Sequence, residues 1–247
     1  MITSVQNNRV KQWCKLQTRK GRVRTGTFLI EGYHLVEEAL ASRWEIKEVI
    51  LMKGNRRPDS LDNIQTTIVS ETVFQKISQT KTPQGIIGVL TMKKHITYMG
   101  DRVLMIDQVQ DPGNLGTMIR TADAAGFSSV ILGEGTVDLY NDKVIRATQG
   151  SLFHIPILQA NLLNKIKELK QSGFTIWASA LKHATNYDQM NSSEKIALIV
   201  GNEGAGIQDK ILLKADHIVK IPIYGKSESL NVSVAAGILM YSVSEHR

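Results

Sequence analysis

The chain of 247 residues has a single cysteine, Cys14, which excludes an internal disulfide and a zinc site with several cysteine ligands. Its six histidines are scattered without paired metal-ligand spacing, so we expect no metal ion. No apolar run approaches the roughly 18 to 20 residues that span a bilayer. The basic N-terminus also lacks the apolar core of a signal peptide. These absences favour a cytoplasmic protein with no metal and no membrane attachment.

Acidic side chains are missing from the first 30 residues, and Glu31 is the first one in the chain. The chain has 30 Lys and Arg residues against 23 Asp and Glu, and the seven basic residues of this segment account for the whole excess, since 30 less 7 is 23. Such a segment is typical of polyanion binding, because Lys and Arg displace counterions from phosphates. The alternative is a solubilising or partly disordered tail, and Trp13 within it could stack on a base or simply pack. The candidate nucleic-acid contacts are Arg9, Lys11, Lys15, Arg19, Lys20, Arg22 and Arg24.

The hydrophobic periodicity divides the chain into two α/β regions. Residues 1–26 form the basic arm, with a short helix predicted over residues 5–17. Strand and helix patterns then alternate over residues 27–91 as FLIEG, GYHLVEEALAS, IKEVILM, SETVFQKIS and GIIGVLT, which predicts a small α/β domain. Residues 92–100 are polar without clear periodicity and are predicted to be a linker.

Residues 101–247 form the second predicted domain. Its apolar runs are VLMID, SVIL, TIWASA, KIALIV and HIVKIP, alternating with helical segments. Runs that are apolar at every position favour a parallel sheet covered on both faces. Ligands of such sheets bind beyond the carboxyl ends of the strands.

Three segments in this region combine glycines with amide, hydroxyl or charged side chains. The first, DPGNLGTMIRTADAAGF at 111–127, predicts a helix from about Asn114 to Ala125. Asn114 could be its N-cap or serve a site. Arg120 lies on an otherwise apolar helix, where it either extends to solvent or is held by a carboxylate. Glu203 is the candidate carboxylate.

The second segment, LIVGNEGAGI at 198–207, is a buried strand running into glycines. Its GxxGxG spacing is the reverse of the dinucleotide-binding pattern, and Gly201 would let a ligand approach the backbone. The third, IPIYGKSESLNVSVAAGI at 221–238, joins a strand through a loop to a helix that Ser229 or Asn231 could cap. On that helix Leu230, Val234 and Ile238 share one face.

Together, in this order, the three segments resemble the motifs of the SpoU (TrmH-type) family of RNA 2′-O-ribose methyltransferases. The resemblance implies S-adenosylmethionine as cofactor and a deep trefoil knot in the C-terminal parallel-sheet domain. Matching the motifs position by position implies an essential catalytic role for Arg120. It also places polar groups beside the reaction centre at Asn114, Glu203, Ser229 and Asn231. The implied cofactor contacts, made largely through backbone, are Val200, Gly201, Asn202, Ile221, Ile223, Ser229 and Leu230.

A guanidinium, whose pKa exceeds about 12, is a poor base at neutral pH. We therefore expect Arg120, anchored by Glu203, to fix the target phosphate and stabilise the forming alkoxide rather than to remove the proton.

The N-terminal region resembles the small α/β substrate-binding domain of SpoU proteins, which is akin to certain RNA-binding ribosomal proteins. The whole arrangement is similar to members that act on ribosomal RNA, particularly large-subunit (23S) RNA. The resemblance also implies a homodimer in which segments 114–126 and 230–243 meet and the catalytic arginine is shared. The alternatives are a transfer-RNA ribose methyltransferase and a catalytically silent RNA-binding or ribosome-assembly protein of the same fold. A nicotinamide- or nucleotide-binding oxidoreductase is disfavoured, because no GxGxxG follows the first strand of either domain.

Overall fold

A computed structural model describes residues 1–93, 100–190 and 193–244. They form two compact units: residues 1–93 with 138–153, and residues 100–137 with the remainder from 154 onward. The short segment 138–153 thus joins the first unit although it lies within the second in sequence. Most of the predicted linker at 92–100 lies outside the described residues.

Predicted and observed elements correspond closely. The helices are α1 (Asn8–Lys15), α2 (Arg19–Thr25), α3 (Tyr33–Ala41), α4 (Glu71–Ile77), α5 (Pro112–Ala124), α6 (Asp142–Thr148), α7 (Leu162–Gln171), α8 (Asp209–Leu212) and α9 (Val232–Ser244). The strands are β1 (Thr27–Glu31), β2 (Ile46–Met52), β3 (Thr66–Val69), β4 (Ile86–Thr91), β5 (Arg102–Ile106), β6 (Ser129–Leu132), β7 (Ile157–Gln159), β8 (Thr175–Ser179), β9 (Thr185–Asn186), β10 (Ile196–Val200) and β11 (His217–Lys220). Within the described residues, no helix has the length and apolar character needed to cross a membrane.

The first unit is built on a four-stranded mixed sheet in the order β1-β4-β2-β3. Strand β4 pairs antiparallel with both β1 and β2, whereas β2 and β3 are parallel. Helices α1 and α4 cover one face, where Trp13 and Phe74 pack with Leu29, Ile50 and Ile87. Helices α3 and α6 contact β1, so the sheet is enclosed between helical layers.

The basic segment at 1–26 is folded rather than a disordered tail. Trp13 is only 3% exposed, and its Nε1 donates to Oε1 of Glu48 at 2.7 Å. Arg9 also donates to Glu48, and to Oγ1 of Thr67 at 2.9 Å. Of the two alternatives for Trp13, packing is the one observed, and Arg9 is partly committed to the same buried acid.

Arg22, a predicted nucleic-acid contact, is instead an internal residue of the first unit. It is 5% exposed, donates to the carbonyl of Leu16 at 2.9 Å and pairs with Oδ2 of Asp138 at 2.5 Å. Removing one partner of a buried ion pair leaves an uncompensated charge, so both partners hold segment 138–153 in place. The exposed basic side chains of the N-terminal helices are therefore Lys11, Lys15, Arg19, Lys20 and Arg24.

The second unit contains a seven-stranded sheet in the order β7-β6-β5-β10-β8-β11-β9, with every neighbouring pair parallel. Strands β5, β6 and β10 are buried at every position, which confirms the prediction of a sheet covered on both faces. One face packs against α7 and α8, while α9 packs on β10 and against α5. Strands β5, β10, β8 and β11 are parallel neighbours in this order. The loops at their carboxyl ends therefore lie together at one edge of the sheet.

Candidate active site

Helix α5 begins at Pro112 rather than near Asn114. Its N-cap is Asp111, whose Oδ1 accepts from the backbone N–H of Asn114 at 2.8 Å. Proline suits the first helical position, because its φ is already helical and the missing N–H would have no partner there. Asn114 is therefore not the cap, and its side-chain amide is free to join other motifs.

The carboxylate of Glu203 joins the second motif to the first. Its oxygens accept from the backbone N–H groups of Gln110 at 3.1 Å and Asp111 at 3.0 Å, and from Nδ2 of Asn114 at 3.1 Å. Partial burial acts to raise the pKa of Glu203, but the hydrogen bonds from Asn114, Asp111 and Gln110 outweigh it and hold that pKa below its usual range. The ionised carboxylate thus fixes the turn that leads into α5.

Asn114 connects this carboxylate to the third motif. Its Oδ1 accepts from Nδ2 of Asn231 at 3.0 Å. Asn231 in turn caps α9, since its Oδ1 accepts from the backbone N–H of Ser233 at 2.9 Å and from the Ser233 hydroxyl at 2.6 Å. The series Glu203–Asn114–Asn231, named the amide relay below, therefore joins all three motifs.

Ser229 does not cap α9. Ser229 is exposed, and its backbone carbonyl accepts from the hydroxyl of Ser227 at 2.8 Å. No described residue bonds the Ser229 hydroxyl, which leaves that group available beside the amide relay.

Within the second motif, residues 201–206 form a tight loop held by Asn202. The side-chain Oδ1 of Asn202 accepts from Gly204 N and Ala205 N, both at 2.9 Å, and its Nδ2 donates to the carbonyl of Gln108 at 2.9 Å. A Cβ on Gly201 would lie 2.3 Å from the carbonyl carbon of Gly206. Glycine is thus required at 201 by the closing loop itself, and the Asn202 side chain is occupied within the loop.

Two buried residues lie behind this loop, and one of them, Asp107, was not identified from sequence. Asp107 is 1% exposed and accepts from the backbone N–H of Gln208 at 2.8 Å and from its Nε2 at 2.6 Å. Val200, a predicted cofactor contact, is 1% exposed, and its carbonyl accepts from Asp107 N at 2.9 Å. Both residues support the loop. The signal in the sequence was an acid, Asp107, directly after the apolar run VLMI.

The segment 221–231 offers the backbone groups that a cofactor would need. Ile221 and Ile223 are half-buried and Leu230 is 37% exposed. Within the described part of the chain, residues 221–230 form no backbone-to-backbone hydrogen bond, so their N–H and C=O groups can bind a polar ligand. Strand β8 lies between β10 and β11 in the parallel sheet, so the loop after it, in which Leu181 is 55% exposed, leaves the sheet at the same end; sequence reasoning did not identify this loop.

Arg120 is exposed and stands apart from the amide relay. It follows Asn114 by six residues, which sets the two side chains about 120° apart around the helix axis and about 9 Å apart along it. No hydrogen bond or ion pair joins Arg120 to another described residue, and the oxygens of Glu203 are occupied by other donors. The expected Arg120–Glu203 ion pair within one chain is therefore wrong.

We expect Glu203→Gln to loosen the turn before α5, because glutamine keeps only one acceptor oxygen and its NH₂ would face the backbone N–H of either Gln110 or Asp111, which bond different oxygens of Glu203. The local cost should be about 1 kcal/mol, the lower range for hydrogen bonds at a partly exposed site. Faster amide hydrogen exchange at 110 and 111, measured at pH 7 by NMR, would report it. Glu134→Gln, an exposed acid in the same unit, is the matched control and should leave both rates unchanged.

The same substitution has a pH signature. Since the folded-state pKa of Glu203 is lowered from its ordinary value of about 4.3, its stabilising contribution is complete above that value. It is lost as the pH falls through the folded-state pKa. The difference in exchange between wild type and Glu203→Gln should therefore persist from neutral pH down to about 4.3 and shrink only on further acidification; a difference that already shrinks near neutral pH would contradict the lowered pKa.

Comparison with known proteins agrees with this geometry. A model of the SpoU rRNA Methylase family matches residues 101–241, and one of the MRM3-like substrate binding domain matches residues 7–88. The 23S rRNA (guanosine(2553)-2'-O)-methyltransferase RlmP of Bacillus subtilis is 49% identical over 241 residues, which are 97% of each protein.

Solved structures give the same result over nearly the whole chain. The AdoMet-bound rRNA methyltransferase from Sinorhizobium meliloti has a TM-score of 0.90 at 32% identity, covering 99% of this chain and 97% of that one. An RNA 2'-O ribose methyltransferase has a TM-score of 0.86 at 33% identity, covering 99% and 98%. With its three motifs joined at one edge of a parallel sheet, the chain belongs to the SpoU methylase family.

Proposed function

We propose that this protein transfers a methyl group from S-adenosylmethionine to a ribose 2′-hydroxyl of 23S ribosomal RNA. We further propose as its target the guanosine named for the Bacillus subtilis relative. The observation that carries the proposal is the amide relay, which brings the three family motifs together in one hydrogen-bonded unit. The 49% identity to RlmP over nearly the full length supports the same substrate class. An enzyme that methylates 23S ribosomal RNA would work in the cytoplasm.

The residues present fit the cofactor. The unpaired backbone groups at Ile221, Ile223 and Leu230 would hold its polar parts, while the exposed side chain of Leu181 offers apolar contact. When bound, S-adenosylmethionine supplies an electrophilic methyl group on a sulfonium.

The protein's own contribution is alignment of a poor nucleophile with that methyl group. Each side-chain NH₂ of Asn114 and Asn231 has two N–H groups, of which one is used within the amide relay. The remaining N–H groups and the Ser229 hydroxyl can orient the oxygens of the target ribose. Because the relay fixes both amides, these donors are held before substrate arrives.

Arg120 would complete the site from a second copy of the chain. Helix α9 and the residue before its cap expose an apolar stripe on one face, formed by Leu230, Val234, Ile238 and Tyr241, 36–51% exposed. We propose that two copies pack through this stripe and segment 114–126, so that the partner subunit's Arg120 reaches the amide relay. There the guanidinium would bind the target phosphate and stabilise the forming alkoxide.

A deep trefoil knot would account for the path of the C-terminal segment. Strand β11 lies beyond β8 from β10, yet Asn231, shortly after β11, bonds Asn114 on the far side of β10. The chain must return across β8 and β10 to make that contact. Passage of this return through a loop formed by earlier residues of the domain is the arrangement that we propose.

The first unit would bind the RNA substrate. Its match to an MRM3-like substrate binding domain and its exposed basic side chains on α1 and α2 support this role. Residues 27–91 provide the sheet of this unit, and residues 101–247 provide the methyltransferase domain.

The activity is tested by incubating the purified protein with methyl-labelled S-adenosylmethionine and either unmodified 23S ribosomal RNA or transfer RNA. We expect label in 2′-O-methylguanosine from the ribosomal RNA alone. Label only in transfer RNA would overturn the substrate assignment. Cofactor binding without product from either RNA would mean that the substrate is an assembly intermediate or another RNA, and absence of cofactor binding would favour a silent binder.

The proposal that Arg120 acts in the partner's site is tested by combining two inactive variants in one dimer. Arg120→Ala and Asn231→Ala should each lower kcat at least about 100-fold, as loss of a transition-state donor does. If Arg120 acts across a two-fold dimer, equal co-expression of both variants restores about a quarter of the wild-type sites, because half of the dimers are mixed and each has one intact site. No recovery in mixed dimers isolated with two tags would place Arg120 in its own chain's site.

The basic helices are tested by point substitution, since deleting residues 1–26 would also remove the buried Trp13 and Arg22. Lys11→Gln with Lys15→Gln should weaken RNA binding and reduce the slope of log affinity against log salt by about 1.5, for two lost phosphate contacts. The affinity for S-adenosylmethionine should not change. Lys167→Gln with Lys214→Gln removes the same charge from exposed positions of the second unit; an equal effect of that pair would refute a dedicated surface.

A further inference from the structure

Among the described residues, Tyr224 is the most exposed large apolar side chain, at 93%. It lies between Ile223 and Gly225, inside the segment 221–231 that carries the proposed cofactor contacts. A single exposed apolar residue needs no explanation by itself. Tyr224 differs from other exposed apolar residues because it lies on the segment that ends at the amide relay.

The distance from Tyr224 to the reaction centre is limited by the chain. Ser229 lies five residues further on, so the two Cα atoms are at most about 18 Å apart. Successive bases along a stacked strand are about 3.4 Å apart. A base that contacts Tyr224 is therefore within a few nucleotides of the ribose held at Ser229 and Asn231.

The neighbouring side chains suit an RNA strand. Lys226 is exposed two residues from Tyr224, Lys220 is half-buried on the other side, and the first acid that follows is Glu228. An aromatic ring with cations beside it is the combination by which single-stranded RNA is held, the ring stacking on a base and the cations facing phosphates. The segment's lack of backbone-to-backbone hydrogen bonds within the described residues leaves its own amides able to contact the strand as well.

We propose that Tyr224 is a stacking platform for one base of the substrate RNA beside the methylated ribose, and thereby sets which nucleotide enters the site. This role rests on the proposed function. It assigns to Tyr224 a part in substrate register that neither the motif resemblance nor the amide relay supplies.

The test uses the full-length protein and a 23S ribosomal RNA fragment around the target guanosine, which wild type is first shown to methylate. Tyr224→Ala should raise the Kd for this RNA about 5- to 150-fold, the range for loss of one base–aromatic stack. Tyr224→Phe keeps the ring and should remain within about twofold of wild type. Leu213→Ala, which truncates a side chain 82% exposed in the same unit, is the matched control and should have no effect.

A second measurement locates the base. We place one abasic nucleotide in turn at each position flanking the target and measure the Kd of each RNA fragment for wild type and for Tyr224→Ala. At the position whose base stacks on Tyr224, the two proteins should bind the abasic fragment equally, because the contact is already lost. A purely structural role of Tyr224 would instead weaken binding to every fragment by the same factor. Absence of any such position overturns the proposal.

Two further readouts exclude other partners for the ring. A changed affinity of Tyr224→Ala for S-adenosylmethionine would assign Tyr224 to the cofactor, and a changed molecular mass by light scattering would assign it to an interface between copies. Either result refutes RNA stacking. Failure of wild type to methylate any RNA would refute the proposed function itself, a result separate from any effect of Tyr224.

Discussion

The site depends on one carboxylate that accepts hydrogen bonds from two backbone amides and one side-chain amide. Glu203 can do so because it is ionised and because the loop behind it is closed by Asn202 and Gly201. Donors converging on a charged acceptor form strong hydrogen bonds. Once Glu203 orients Asn114, that amide can present only its oxygen to Asn231, and the start of α9 is fixed in turn.

The strand order makes this arrangement possible. Three segments, of which the first and last are joined across 117 residues by Asn114 and Asn231, meet because β5 and β10 are neighbours and the chain returns to them after β11. The seven parallel strands supply the rigid frame, and the loops leaving them supply the chemistry. The buried apolar packing of the sheet therefore aligns the three segments, while their polar groups at the edge of the sheet remain open to a ligand.

Much of this could be predicted from sequence. Strand β2 is the predicted IKEVILM, and the fully buried β5, β6 and β10 were recognisable as apolar runs. The short strands β3 and β7 were missed, because three or four residues carry too little periodicity to separate a strand from a loop. Their pairing is decided by long neighbouring strands rather than by their own composition.

Side-chain partners were harder to predict than elements. The position of Asn114 was correct, but its role depended on Asp111 taking the cap, a choice between two good capping residues three positions apart. Arg22 resembles its exposed neighbours in sequence, and only the fold brings Asp138 to it across 116 residues. The partner of Glu203 could not be deduced from charge, since amide donors satisfied it where a guanidinium was expected.

The place of segment 138–153 bears on how the protein is made. Asp138 neutralises Arg22, Tyr140 packs on Phe28 with ring centroids 4.5 Å apart, and Phe153 packs on Trp44 at 5.2 Å. A ribosome delivers the N-terminal sheet long before these three residues, so the first unit cannot complete its core until residue 153 has been synthesised. Its sequence-defined boundary near residue 91 is therefore not a folding boundary, and an exchange of substrate-binding units between relatives would have to carry both pieces of chain.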